Sequence, residues 1–193
     1  MDRKAMQRAV SDFLAAIGAD PTDPALAHTP AWVTEAWADE LLAGEGIDPG
    51  TILDTFEAPA SEGAVMVTGI AFVGVCPHHL LPYLGRAHLA YLPADRIVGF
   101  SKLVRLVEAL GARLALQETV THAIADALME HLGARGAMVV TEAKQACMAL
   151  RGVRRHEATV RCTAARGRYA EETAGHRAEF LAAVGAWNEE PKP

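Results

Sequence analysis

Cys76, His78 and His79 fall within four positions of the segment VCPHHLLP, residues 75–82. A thiol and two imidazoles this close suggest a metal. The C-x-x-H pair Cys76 and His79, placed in a turn, can hold one zinc ion through a sulfur and a nitrogen. Zinc takes three or four ligands, so this stretch does not complete a site alone. Cys147, in QACMALRG, is the natural third ligand. Three protein ligands leave one coordination position open, which marks a catalytic rather than a structural zinc. Water on such an ion has a pKa of about 7 and serves as a hydroxide nucleophile at neutral pH. His78 cannot easily share a metal with His79, because adjacent side chains diverge. It is better placed as a neighbouring acid or base. The competing reading is structural, with Cys76 a buried apolar thiol and both histidines hydrogen-bonded at the surface. Cys162 has alternating neighbours and reads as core.

A second group of residues suits an anion. Lys102 and Arg105 lie three apart at a helix start and share a face. A helix N-terminus with two cations favours negative charge. Arg151, Arg154 and Arg155 follow Cys147 closely. Alone they read as a solvated basic face; beside a catalytic zinc they favour an anionic substrate. Gln117 and Glu118 stand at another helix start, where a carboxylate can accept two hydrogen bonds from an amidine-like edge such as that of guanine. A favourable charge in a first helical turn explains Glu118 equally well.

The elements that must position these groups follow from periodicity. Residues 3–17 have helical spacing and stop at Gly18. Thr29-Pro30 reads as an N-cap with proline at the first helical position, opening a helix over about 30–43. AVMVTGIAFVGV (64–75) and GRAHLAYLP (85–93) read as strands, which puts the CPHH stretch in the connection between them. From Ser101, Leu103, Leu106, Val107, Leu110 and Leu114 make an amphipathic helix. From about Glu118, Val120, Ile124, Leu128 and Leu132 make another. Segments 136–148, holding Cys147, and 157–164 read as further strands, and a last helix covers about 171–187. The expected fold is α+β, an antiparallel sheet with helices on one face and N-terminal helices. Residues 1–50 form a helical segment before a single unit over 51–193.

The 193 residues are 51% hydrophobic and 22% charged, with a net charge of −6. This balance argues against broad nucleic-acid binding, which needs a basic footprint. No apolar run approaches the roughly 18 residues of a membrane span. The N-terminus reads as a helix rather than a signal peptide. Three cysteines fit a reducing cytoplasm better than a disulfide framework.

The long run CPHHLLPYLGRAHLAYLPADRIVGFSKLVRLVEALGARLALQETVTHAIADAL, with the later EAKQACMALRGVR, closely resembles the GTP cyclohydrolase I family. The resemblance spans about residues 10–187. It implies the tunnelling T-fold, assembled into a ring-shaped homo-oligomeric barrel, typically a decamer, with sites at subunit boundaries. It implies zinc on Cys76, His79 and Cys147, and His78 as the acid or base. Gln117 and Glu118 would anchor the guanine edge, and Ser101, Lys102, Arg105 and Arg151 would bind phosphate. In the family reaction, zinc-activated water adds at C8 of GTP, the imidazole ring opens and formate leaves. The ribose then rearranges and recloses into dihydroneopterin triphosphate.

Four positions depart from the family pattern. Gln145 stands where the family has a histidine that supports proton transfer, so the catalytic pair becomes His78 and Gln145. Glutamine can hydrogen-bond but cannot shuttle a proton near neutral pH. Trp32 and Glu35 replace two cations that contribute to triphosphate binding, and Thr119 replaces an arginine. These changes point to a divergent member that opens the ring of a less phosphorylated guanine nucleotide, nucleoside or base. The alternatives are an ordinary GTP cyclohydrolase I, a deazaguanine nitrile reductase on the same fold, and a non-catalytic purine-binding paralogue. Retention of all three ligand types disfavours the reductase. His122 and His156 read as surface histidines rather than substitutes for the missing imidazole.

Overall fold

The computed structural model describes residues 1–57, 63–171 and 175–189. The chain forms two compact units, Met1–Ala43 and Gly44–Pro193. In the first, α1 (Arg3–Ala16) starts where the Asp2 carboxylate accepts from the Ala5 N–H at 3.0 Å. α2 (Thr29–Glu35) follows a short turn and runs into a π-helical stretch, Ala36–Leu41. The expected Thr29 cap is displaced by one residue. His28 is the capping position, and it makes no side-chain cap bond. Arg3 grips both oxygens of Asp39, which ties α1 to the π-helical stretch. That guanidinium holds the Asp39 carboxyl below its ordinary range.

The second unit carries the sheet. β1 (Thr55–Glu57) pairs antiparallel with β4 (Arg96–Val98) in a two-stranded ribbon. Each has three residues, too short for an alternating pattern to show in the sequence. The main sheet is fully antiparallel, in the order β2 (Val65–Val75), β3 (Pro82–Leu92), β5 (Gly136–Gln145), β6 (Val160–Gly167). Alternation along each strand divides its two faces. Tyr83, Ala87, Leu89 and Tyr91 of β3, with Ala137, Val139 and Ala143 of β5, join one core with α3 (Phe100–Gly111) and α4 (Gln117–Leu132). Ala90, Leu92, Met138 and Val140 face the other way, against Phe180 and Val184 of α6 (Gly175–Glu189). The α+β class and the paired helices on one face are as expected, and α6 adds cover to the opposite face.

Gly69 keeps β2 in step with both cores. The β2–β3 register shifts between Val67 and Ile70, so Val65 and Val67 before the bulge share a face with Ile70 and Phe72 after it. Gly69 has φ +78°, and a Cβ there would lie 2.4 Å from the Trp187 ring. Arg86 Nη1 donates to its carbonyl at 3.0 Å. A side chain at this position therefore meets both a backbone penalty and a clash.

The apolar stripe of α3 is as expected from Leu103 to Leu110, all buried. Burying each such side chain stabilises the fold by about 1.5–3 kcal/mol. Leu114 is a correction. The helix ends at Gly111, and Leu114 is 43% exposed because its backbone bridges Val75 instead. In α4, Val120, Ile124, Leu128 and Leu132 are all buried, and Gly133 closes the helix at φ +62°.

Candidate active site

The connection between β2 and β3 is a tight turn closed by backbone bonds. Cys76 N–H donates to Leu81 O at 3.0 Å, and Leu80 N–H donates to Cys76 O at 2.9 Å. Leu80 sits in the left-handed region at φ +54° and leaves its side chain 52% exposed. A non-glycine residue there costs about 1–2 kcal/mol, a local strain that the turn retains. Cys76 points into the helix-side core at 6% exposure, and His78 and His79 are exposed. Gly74 leaves room for the neighbouring Tyr83, whose ring would lie 2.4 Å from an added Cβ.

Cys147 does not lie in the strand expected for it. β5 ends at Gln145, opposite Tyr83, because the next β3 residue, Pro82, has no N–H to extend the ladder. The chain turns into a short helix, α5 (Ala146–Ala149), which holds Cys147 half-buried. Register thus delivers Cys76, His79, Gln145 and Cys147 to one end of the sheet. Arg151 follows α5, and its Nη1 lies 2.6 Å from His79 Nε2. A guanidinium only donates, so Nε2 is the acceptor and Nδ1 carries the proton.

Gln117 and Gln145 are joined. Gln145 Nε2 donates to Gln117 Oε1 at 2.7 Å. Gln117 Nε2 is 3.2 Å from Thr141 O, 3.1 Å from Thr141 Oγ1 and 3.0 Å from Val160 O. Gln117 is 2% exposed, so its amide is spent within the protein. Glu118, next to it, is exposed at the first turn of α4. Its charge reaches Tyr83 and Cys162. Burial first, then the neighbouring charges of Cys76, Glu118 and Cys162, push the Tyr83 phenol well above its usual range. Tyr83 keeps its proton and donates it to Ala115 O at 2.9 Å. Cys162 is half-buried rather than core, a correction that follows from its place on edge strand β6. Burial first, then the charge of Glu118, push its thiol up and leave it a poor thiolate.

Ser101, Lys102 and Arg105 are elsewhere in the chain's own fold. They occupy the first turns of α3, while the other end of that helix meets the Cys76 end of β2 through Val75 N–H to Arg113 O at 3.2 Å. At 1.5 Å per residue, the helix separates the two ends by about 15 Å. Lys102 Nζ is paired with Asp54 Oδ2 at 2.6 Å, just before β1. His122 accepts from Arg166 at 3.0 Å, and His156 is exposed. Sequence reading missed Tyr83, Thr121, Thr141 and Asp54. Buried polar residues within apolar segments were the signal for the two threonines. A groove of about 700 Å³ lined by Leu84, Arg86, Lys144 and Trp187 holds none of the expected chemistry.

A family model for GTP cyclohydrolase I matches residues 6–185. The chain belongs to the GTP cyclohydrolase I family. GTP cyclohydrolase 1 of Leifsonia xyli subsp. xyli is 42% identical over 187 residues, covering 95% of this chain and 96% of that protein. GTP cyclohydrolase 1 of Streptococcus pyogenes serotype M49 is 41% identical over 175 residues, 90% of each chain. GTP cyclohydrolase 1 of Bacillus pumilus is 40% identical over 185 residues, covering 95% of this chain and 97% of that protein. As a cyclohydrolase of this family, the protein is an enzyme that hydrolyses carbon–nitrogen bonds of a cyclic amidine.

The family implies zinc, and the donor types here suit it. Two cysteines and a histidine are soft and borderline ligands, brought to one end of one sheet. Among the described residues, no three His, Cys, Asp or Glu side chains converge closely enough to hold a metal. The His79 lone pair faces the Arg151 guanidinium instead, so a cation already occupies the direction a metal would take. Metal ligation by His79 would exchange Arg151 for the ion. Trp32 is 59% exposed and Glu35 is exposed, both within the N-terminal unit. No helix among the described residues is long and apolar enough to cross a membrane.

Proposed function

We propose that the protein is a GTP cyclohydrolase I, converting GTP to formate and 7,8-dihydroneopterin triphosphate. Near-full-length relatedness at 40–42% identity to proteins of that name carries this reading. It outweighs the less phosphorylated substrate suggested by Trp32 and Glu35. Cys76, His79 and Cys147 would hold zinc, which would supply an activated water for the C8 position. His78, exposed on the strained turn beside them, moves protons on the imidazole side of the purine. Glu118 accepts from the guanine N1–H and amino group. Gln117, buried and internally bonded, supports that edge from behind rather than touching it.

Ser101, Lys102 and Arg105 bind the triphosphate of a site belonging to another copy. The length of α3 keeps them from the His79 end of their own chain, which favours a homo-oligomer with composite sites. Arg151, displaced from His79, turns to phosphate. The test is incubation of the zinc-loaded protein with GTP, GMP and guanosine, following formate and the pterin chromophore. Pterin triphosphate from GTP is expected. Ring-opened product from GMP or guanosine, with none from GTP, would establish the less phosphorylated substrate instead.

A further inference from the structure

Gln145 is the family departure nearest the metal ligands, and its hydrogen bonds determine which of its atoms faces the site. Gln117 Nε2 contacts two main-chain carbonyls, Thr141 O and Val160 O, which can only accept. The contacting atom of Gln117 is therefore its NH₂ group, and Oε1 is the end that meets Gln145. Oε1 also only accepts, so Gln145 turns its NH₂ inward. Thr121 Oγ1 donates to Gln117 O at 2.7 Å. Thr141 Oγ1, 2.7 Å from Thr121 Oγ1, must then donate to it while accepting from Gln117 Nε2. The proton directions form a closed ring of fully buried groups, with Thr121 and Thr141 at 0% exposure. Reversing the Gln145 amide would set two carbonyl oxygens against each other. Among the described residues, Gln145 Oε1 receives no hydrogen bond, and the residue is half-buried at the mouth of the site, two positions before Cys147.

We infer that Gln145 presents a locked carbonyl oxygen that recognises the ring-opened formamide form of the nucleotide and not GTP itself. This rests on the cyclohydrolase reading above. The imidazole ring of GTP carries no N–H. N7 offers a lone pair, N9 is substituted by ribose, and a fixed acceptor gains nothing from either. Adding water at C8 and breaking the C8–N9 bond puts a hydrogen on N9 and leaves N7 as a formamide N–H. Each new N–H is a donor for Gln145 Oε1. An interaction made only after the ring opens favours the forward step without tightening substrate binding. It also needs no proton exchange, which glutamine cannot supply. Gln117, Thr141 and Thr121 act as positioning residues by holding the amide in one orientation.

Binding to the full-length protein, measured calorimetrically without turnover, tests this with GTP and its formamidopyrimidine counterpart as probes. Gln145→Met, which keeps length and removes the oxygen, should weaken the formamidopyrimidine nucleotide about tenfold and change GTP less than twofold. Side-chain amide NMR reads the lock itself. In the unliganded protein, the Gln145 NH₂ signals should show slow hydrogen exchange, lost in Gln117→Leu, which removes their acceptor. Equal effects of Gln145→Met on both nucleotides, or none on either, would overturn the role of Gln145 alone. Fast-exchanging Gln145 amide hydrogens would overturn the locked orientation. Wild-type protein that binds neither nucleotide would overturn the cyclohydrolase reading, and this role with it.

Discussion

The two ends of the α3–β2 layer are built differently. At the Cys76 end, backbone bonds close the turn, Tyr83 is pinned to Ala115, and Gln117 spends every polar atom within the protein. At the Ser101 end, one ion pair between Lys102 and a largely exposed Asp54 does the holding. Asp54 has 79% of its side chain exposed, so water and salt compete for that contact. The contrast matches two tasks. Carbon–nitrogen chemistry needs groups fixed to a fraction of an ångström before substrate arrives. On the proposed reading, a solvated triphosphate is met by cations that can exchange one anion for another. On that reading, the chain carries a preorganised chemical end and an exchangeable, cation-bearing end, directed at different sites.

Breaking the rigid end should have the largest effects. Cys147→Ala should lower formate release from GTP at least about a thousandfold, since several kcal/mol of transition-state stabilisation go with the metal. Metal content measured by mass spectrometry should fall with it, and a variant retaining both zinc and activity would remove Cys147 from the ligand set. His78→Ala should retain zinc and lose about a hundredfold in kcat, the range for a positioned proton-transfer group. A change in KM alone would make it a binding residue instead.

Gln117→Leu probes the same end through stability. It removes the acceptor of the Gln145 amide and the side-chain donor to the Thr141 and Val160 carbonyls, and should cost about 1–3 kcal/mol in urea unfolding, with the slope unchanged. Unaltered stability would mean the ring of hydrogen bonds contributes little. The adaptable end should respond least. Asp54→Asn should lower KM for GTP about two- to fivefold with kcat unchanged, because Lys102 loses its competing anion. A raised KM would show that Asp54 aims Lys102 rather than competing for it. Lys102 holds the Asp54 carboxyl below its ordinary range, so the folded-state pKa is depressed. The pair's contribution is complete above the unfolded value of about 4 and fades as pH falls through the lowered one. Asp54→Asn should flatten that acid limb in a titration of thermal stability.

Much of the scaffold was legible in the residues. The stripes of α3 and α4 and the β-branched run of β2 repeat long enough to define a period. Leu114 fell outside its helix because it also fits a helical spacing, and only the bridge to Val75 decides otherwise. Cys147 left its strand because the ladder ends at Pro82, a residue distant in sequence. The halves of the β1–β4 ribbon are three residues each and carry no periodic signal.

The sequence by itself determined the chemical repertoire: a thiol and imidazoles in one turn, a second thiol with arginines after it, and a glutamine two positions before that thiol. These are matters of residue type and local spacing, and side-chain chemistry travels with the residue. Tertiary structure alone decided which groups meet and which atoms they present. It turned Gln117 inward, aimed the Gln145 amide, and set Lys102 at the far end of α3 from His79. Those outcomes depend on strand register, helix length and the one-way direction of hydrogen bonds between segments far apart in the chain.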